Sequence, residues 1–205
     1  MPSSSQTRWR NFRAVSSRRY PPSERGNTRS SGRRPPETWE AMEELTKLGL
    51  VKAIGVANFT GPMLVDLLTY AKVVPAVNQI ELHPYNPQTK LIEFCTYHGI
   101  GVTAYSPLGS PGGMANPKDI FLLKDEVLGK IAGVHGKTPA QVLLRWGIQR
   151  GTVVIPKSVN PEHIMENSQV FDFILTEDEM VQLTALGRHH RYVDPWEWWR
   201  IPYFD

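Results

Sequence analysis

Apolar positions fall into two alternating rhythms between residues 37 and 186. Near-continuous apolar runs occupy Val51–Phe59 (VKAIGVANF), Val73–Leu82 (VVPAVNQIEL), Gly99–Tyr105 (GIGVTAY) and Thr152–Ile155. Runs of this length, apolar on both faces, suit the buried strands of a parallel sheet. Between them, apolar residues recur three or four apart, the spacing of an amphipathic helix. Glu37–Gly49 carries Trp39, Met42, Leu45 and Leu48, with Gly49 as its C-cap. Gly61–Lys72 presents Met63, Leu64, Leu67 and Leu68, and Asn86–His98 presents Leu91, Ile92, Phe94 and Cys95. A long connection rich in proline and glycine follows the third run, then helices at Asp125–His135 and Thr138–Arg150. Helices at Pro161–Asn167 and Thr176–Leu186 follow the fourth. Strands alternating with helices predict an α/β fold, a parallel sheet with helices packed outside it.

Composition divides the chain. It has 205 residues, 40% hydrophobic and 21% charged, enough for one domain with a sizeable core. The formal charge of +3 averages two unlike parts. Residues 1–36 hold nine arginines and one acid, Glu24, whereas residues 37–205 hold 14 basic and 19 acidic residues. The first stretch is rich in Ser, Arg and Pro, with Pro21-Pro22 and Pro35-Pro36 as breakers, and reads as a disordered basic tail. A bland solvated tail, a mitochondrial presequence, or a nonspecific nucleic-acid arm using Trp9, Phe12 and Tyr20 compete there. The folded body shows no nucleic-acid signature and no run long enough to span a membrane. One cysteine, Cys95, gives no internal disulfide and suits a reducing, cytoplasmic setting, with mitochondrial targeting the competing reading. No Cys or His spacing suggests a metal, and His189-His190 read as surface residues.

Candidate chemistry gathers at the carboxyl ends of the predicted strands, where parallel α/β sheets hold their ligands. The stretch Val153–His163 runs from strand through Pro156-Lys157-Ser158 to a helix start at Asn160-Pro161-Glu162. A lysine beside a helix N-terminus is a sound anion site. Taken alone, this stretch is better explained as an ordinary strand-to-helix turn with an exposed lysine. The other strand ends carry Asn58, Gln79 with Glu81, and Tyr105-Ser106. Four polar strand ends converging on one rim argue for a ligand pocket.

From Thr38 onward the chain resembles the aldo-keto reductases. The resemblance rests on GVANF at Gly55–Phe59, PAVNQIELHPY at Pro75–Tyr85, VTAYSPLGS at Val102–Ser110, VVIPKSV at Val153–Val159 and ENSQVFDF at Glu166–Phe173. RYVDPWEWWRIPYF at Arg191–Phe204 is similar to the xylose and aldose reductase branch. The segments stand in the family's order over about 169 of 205 residues. The resemblance implies the C-terminal half of a (β/α)8 TIM barrel, four parallel strands with outer helices, binding NADP(H) to reduce aldehydes and sugars. NAD(H) stays open as the cofactor. Residue by residue, it implies that Asn58 and Gln79 hold the nicotinamide carboxamide and that Tyr105 stacks on the ring. Ser106, Leu108 and Ser110 would line the pyrophosphate; Lys157 and Ser158 would hold the 2′-phosphate, with Val159 beside it; Glu166 and Asn167 would contact the adenine. Trp196, Trp198 and Trp199 fall where the family shapes substrate choice.

Departures from the pattern carry expectations of their own. Ala57 stands where the family usually has a serine touching the carboxamide. His163 stands where an arginine usually clamps the 2′-phosphate, and histidine lacks the charged fork, so discrimination for NADPH over NADH should weaken. The family's catalytic Asp, Tyr, Lys and His find no counterpart in residues 1–36. General acid catalysis alone contributes about 10²–10⁴-fold, so the free chain is expected to turn over feebly. Four parallel strands would expose two edges and an apolar inner face, inviting self-association. Two rival readings are a non-catalytic binding or regulatory protein, and a fragment or mispredicted frame of an active reductase.

Overall fold

The computed structural model describes residues 35–111, 121–196 and 202–204; the basic stretch 1–34, Trp198 and Trp199 lie outside them. Four short strands build one parallel sheet in chain order: β1 (Val56–Ala57), β2 (Val77–Glu81), β3 (Gly101–Tyr105) and β4 (Val153–Val154). Val56 lies opposite Asn78, Asn78 opposite Val102, and Ala104 opposite Val154. Helix α1 (Pro35–Lys47) comes first. The crossovers are α2 (Gly61–Tyr70), α3 (Thr89–Tyr97), and a 3₁₀ turn at Leu122–Lys124 with α4 (Glu126–His135) and α5 (Pro139–Gln149). Helices α6 (Pro161–Ser168) and α7 (Glu177–Ala185) follow. Because every step between strands is a parallel crossover, all four carboxyl ends share one rim, as in a (β/α)8 barrel.

Local chemistry sets the helix starts. Thr138 with Gln141 and Thr176 with Glu179 form capping boxes, and Asp125 accepts from Val127 and Leu128 N–H. Gly49, at φ 69°, ends α1 in the left-handed conformation that favours glycine. Helix α1 begins at Pro35, so Pro35 and Pro36 open a helix rather than end a tail. Proline's fixed φ and missing N–H suit a first turn, where no intrahelical partner is needed.

The two outer strands are shorter than their apolar runs. Each has a strand neighbour on one side only among the described residues, so the ladder holds for two residues. Single bonds extend it, from Ala76 N–H to Ile54 O (2.8 Å) and from Ile155 N–H to Ala104 O (3.2 Å).

Side chains alternate across the sheet. Ile80, Val102 and Ala104 face the helices and pack with Leu64, Ile92, Cys95, Leu128, Val142 and Trp146. The period of two puts Ala57, Val77, Gln79, Thr103, Tyr105, Val153 and Ile155 on the other face. That face is mixed, not uniformly apolar: Gln79, Thr103 and Tyr105 interrupt it, while Val153 and Ile155 are 61% and 45% exposed.

Candidate functional site

Asn58 follows β1 at φ 61°, with its N–H bonded to Gln79 O at 2.8 Å. Asn78, buried on the helix side of β2, clamps the next residue: its Nδ2 donates to Phe59 O (2.9 Å) and its Oδ1 accepts from Phe59 N–H (3.3 Å). The strained turn is thus held from both sides, and Asn58 Oδ1 is left buried with no hydrogen-bond partner. Gln79 lies on the inner face of β2, opposite Ala57. Tyr105 ends β3 with its hydroxyl buried and equally unpartnered. Burial pushes this phenol up to about 12; the Glu81 charge adds to the rise and Arg191 opposes it.

After β3 the chain turns through left-handed Ser106 (φ 47°), Gly109 (φ 72°) and Ser110 (φ 48°). The Ser106 and Ser110 hydroxyls share a hydrogen bond of 2.7 Å, and Leu108 rests against the core. Such turns aim backbone N–H groups outward and suit an anionic bridge. After β4, Lys157 is exposed with no ion pair among the described residues. Ser158 Oγ accepts from Asn160 N–H (3.1 Å), and Asn160 Oδ1 accepts from Glu162 N–H (2.9 Å), opening α6. Val159 is exposed, His163 stands on the open side of α6, and Glu166 and Asn167 are half-buried. Gln141 Nε2 donates to Glu166 O and Gln169 O, both at 3.1 Å, which docks the end of α6 on α5. Trp196 is 43% exposed.

The predicted strand-end residues therefore share one rim. A cavity of about 660 Å³ adjoins Asn58, and its wall includes Asn86, Gln88, His190, Arg191 and Asp194 rather than Gln79, Tyr105 or Lys157. His189 is exposed, as a surface reading expects, but His190 is half-buried. Its ring meets Tyr85 and Tyr192 edge-on, at 6.5 and 4.6 Å between centroids, and its Nε2 is buried. Helix α7 has ended at Ala185, so a helical projection does not apply there.

Sequence reasoning missed the device that brings this C-terminal segment to the rim. Glu81 and His83, wholly buried, pair at 2.9 Å. Glu81 also accepts from the N–H of Tyr192 (2.6 Å) and Val193 (3.2 Å). Burial chiefly holds the His83 imidazole below its usual pKa, so the ring is neutral and its Nε2–H donates to the carboxylate. The Tyr192 ring lies on Gly109, where an added Cβ would stand 2.9 Å from Tyr192 Cε2. An acid and a histidine two residues apart at the end of an apolar strand were the available signal, since they share a face.

A four-stranded parallel sheet with outer helices and its carboxyl ends on one rim is the β/α architecture from which TIM barrels are built. Residues 20–188 match the model of the aldo/keto reductase family, and the chain belongs to that family. The match begins inside the Arg/Ser/Pro-rich stretch, so the family likeness extends further toward the amino terminus than Thr38. Similar proteins include "Aldo-keto reductase family 1 member A1" of Cricetulus griseus, 46% identical over 177 residues, 86% of this chain and 55% of the relative. "Aldose reductase B" of Dictyostelium discoideum is 49% identical over 169 residues, 82% of this chain and 52% of the relative. The Homo sapiens "Aldo-keto reductase family 1 member A1" is 46% identical over 160 residues, 78% of this chain and 49% of the relative. The chain spans about half the length of the curated relatives it matches.

Proposed function

We propose that this chain carries the cofactor-holding rim of an NADP(H)-dependent oxidoreductase acting on aldehydes or aldoses. The observation that carries the reading is the pair of buried, unpartnered polar atoms at the ends of β1 and β3, on either side of β2, Asn58 Oδ1 and Tyr105 Oη, where the family places the nicotinamide. Buried polar atoms are nearly always paired in a finished structure, so these two are suited to a ligand. The remaining residues fit the group. Gln79 would complete the carboxamide contacts, and the Ser106–Ser110 turn offers N–H groups to the pyrophosphate. Lys157 and Ser158, beside the start of α6, offer charge and hydroxyl to the 2′-phosphate, with Val159 alongside and Glu166 and Asn167 toward the adenine. Bound reduced cofactor supplies a hydride; the chain's own residues bind and orient it.

Protonation of the developing alkoxide is a separate task. Tyr105, held near pKa 12 by burial, is a poor acid at neutral pH, and its family role is stacking. The free chain is therefore proposed to bind cofactor and to turn over feebly. The inner face between β1 and β4 is proposed to favour self-association.

The test pairs a fluorescence titration with NADPH and NADH against an assay of aldehyde-dependent NADPH oxidation. NADPH binding is expected, with a preference over NADH narrowed by His163. Turnover above about 1 s⁻¹, the low end for ordinary enzymes, would overturn feeble catalysis. Absence of NADPH binding would overturn the cofactor reading itself. Binding without turnover favours the regulatory role over the catalytic one.

A further inference from the structure

Three residues on the wall of the cavity beside Asn58 each carry a buried polar atom that lacks a hydrogen-bond partner: Asn58 Oδ1, His190 Nε2 and Arg191 Nη1. Asn58 Oδ1 can only accept, and Arg191 Nη1 can only donate. The two demands together match a primary carboxamide, whose oxygen accepts and whose NH₂ donates. The Arg191 guanidinium is braced for such a role. It lies 3.5 Å from the centroid of the Phe204 ring, and the Tyr192 and Val193 N–H groups tie the next two residues to Glu81. No carboxylate pairs with Arg191 among the described residues; Asp194, on the same cavity wall, accepts from Trp196 N–H at 2.9 Å. Arg191 is also close enough to Tyr105, at the end of β3, for the two to interact electrostatically. Ala57, meanwhile, offers no hydroxyl at the site.

We propose that Arg191 is a cofactor-binding residue: its Nη1 donates to the nicotinamide carboxamide oxygen while Asn58 Oδ1 accepts from the carboxamide NH₂. Arg191 thereby supplies, from the C-terminal segment, a contact that Ala57 cannot make from β1. The inference rests on the cofactor reading above and adds a residue and a chemical reason to it. It also makes the C-terminal segment a sensor of the carboxamide, because the contact forms only while Glu81 holds that segment in place.

The test is equilibrium binding to the full chain of two probes, NADPH and adenosine 2′,5′-bisphosphate, which shares the phosphate end but has no nicotinamide. Arg191→Met should weaken NADPH about tenfold, the equivalent of one charge-assisted hydrogen bond, and leave the bisphosphate within about twofold. Arg191→Lys, which keeps the charge without the fork, should fall between, and Ala57→Ser added to Arg191→Met should recover part of the loss. Unchanged NADPH affinity in a folded Arg191→Met protein, checked by circular dichroism, would overturn the proposal. Equal weakening of both probes would overturn it too, because the arginine would then be serving the fold. If the unaltered chain binds the bisphosphate and NADPH equally, the nicotinamide makes no contact and the proposal fails while the phosphate site stands. If it binds neither, the cofactor reading has failed first.

Discussion

Two polar groups at the ends of neighbouring strands are treated in opposite ways. Glu81, closing β2, is wholly buried and meets three donors: His83, Tyr192 N–H and Val193 N–H. Asn58, just past β1, has a buried oxygen with no partner, as does the Tyr105 hydroxyl on β3. Leaving a buried polar atom unpaired costs about 1–3 kcal/mol, so a fold tolerates it where a ligand or another segment supplies the partner. The satisfied group holds the structure; the unsatisfied ones are available to a ligand. Charge alone does not separate them, since Arg191 carries one and still has a buried, unpaired N–H.

The contrast is easiest to break by removing one member of each kind. Glu81→Ala strips the acceptor from two backbone N–H groups and from His83, and should destabilise the chain by about 3 kcal/mol. Asn58→Ala removes an oxygen that bonds nothing in the fold, so its cost to stability is that of alanine at φ 61°, about 1 kcal/mol and well below the cost of Glu81→Ala. Its effect belongs in binding, a loss of about tenfold in NADPH affinity. Denaturant unfolding and fluorescence titration of both variants read the two effects. If Asn58→Ala unfolds the chain as readily as Glu81→Ala, the distinction between holding and binding groups is lost.

The same division explains what was legible in the sequence. The strand and helix order followed from periodicity because core packing follows the period: Ile80, Val102 and Ala104 sit where alternation places them, against Leu64, Ile92 and Trp146. Gly49, Thr138 and Asn160 were readable as caps because capping needs particular small or polar residues at fixed offsets. Asn58, Gln79, Tyr105 and Lys157 were legible as strand-end residues because β/α connectivity alone puts them on one rim. The Glu81 contacts were not. They join residues 111 and 112 positions apart, and their partners on the far side are backbone N–H groups, which leave no mark on composition or period. Arg191 and His190 were missed for the same reason. The extents of β1 and β4 failed differently, because an apolar run records burial and not which of its residues pair.

A smaller effect probes how the closed cluster reaches the open one. Tyr192, fixed through Glu81, rests on Gly109 in the turn between Ser106 and Ser110. Gly109→Ala meets two obstacles, φ 72° and a Cβ only 2.9 Å from Tyr192 Cε2. The expected cost is about 1–2 kcal/mol, with Tyr192 forced off the turn. Proteolysis by trypsin at Arg188 and Arg191 should quicken more than global stability falls. Parallel changes in the two would mean that the segment and the turn are not coupled through this contact.

The smallest effect is a pH dependence seated in the closed cluster. His83 faces Glu81, His190 and Arg191, and burial holds its imidazole below the ordinary value. An unfolded chain protonates this histidine below about pH 6.5, while the native chain resists until lower pH. The unfolded state therefore binds more protons in that window, and the contribution is present above about pH 6.5 and lost as pH falls toward the depressed native pKa. His83→Gln retains an N–H donor for Glu81 and does not titrate. Its stability should fall less steeply between about pH 6.5 and 5, by at most about 1.4 kcal/mol per pH unit, the slope of one proton. Glu43, Glu179 and Asp172, all held below their ordinary values, lose stability in the same direction but at lower pH. The difference between the two proteins, not either slope alone, isolates His83. Curves that run parallel from pH 7 to 5 would mean that His83 titrates alike in the folded and unfolded chain, and a wild-type curve falling less steeply than that of His83→Gln would place a charged imidazole in the folded cluster, making Glu81 and His83 an ion pair and the His83 proton part of what holds the C-terminal segment to the rim.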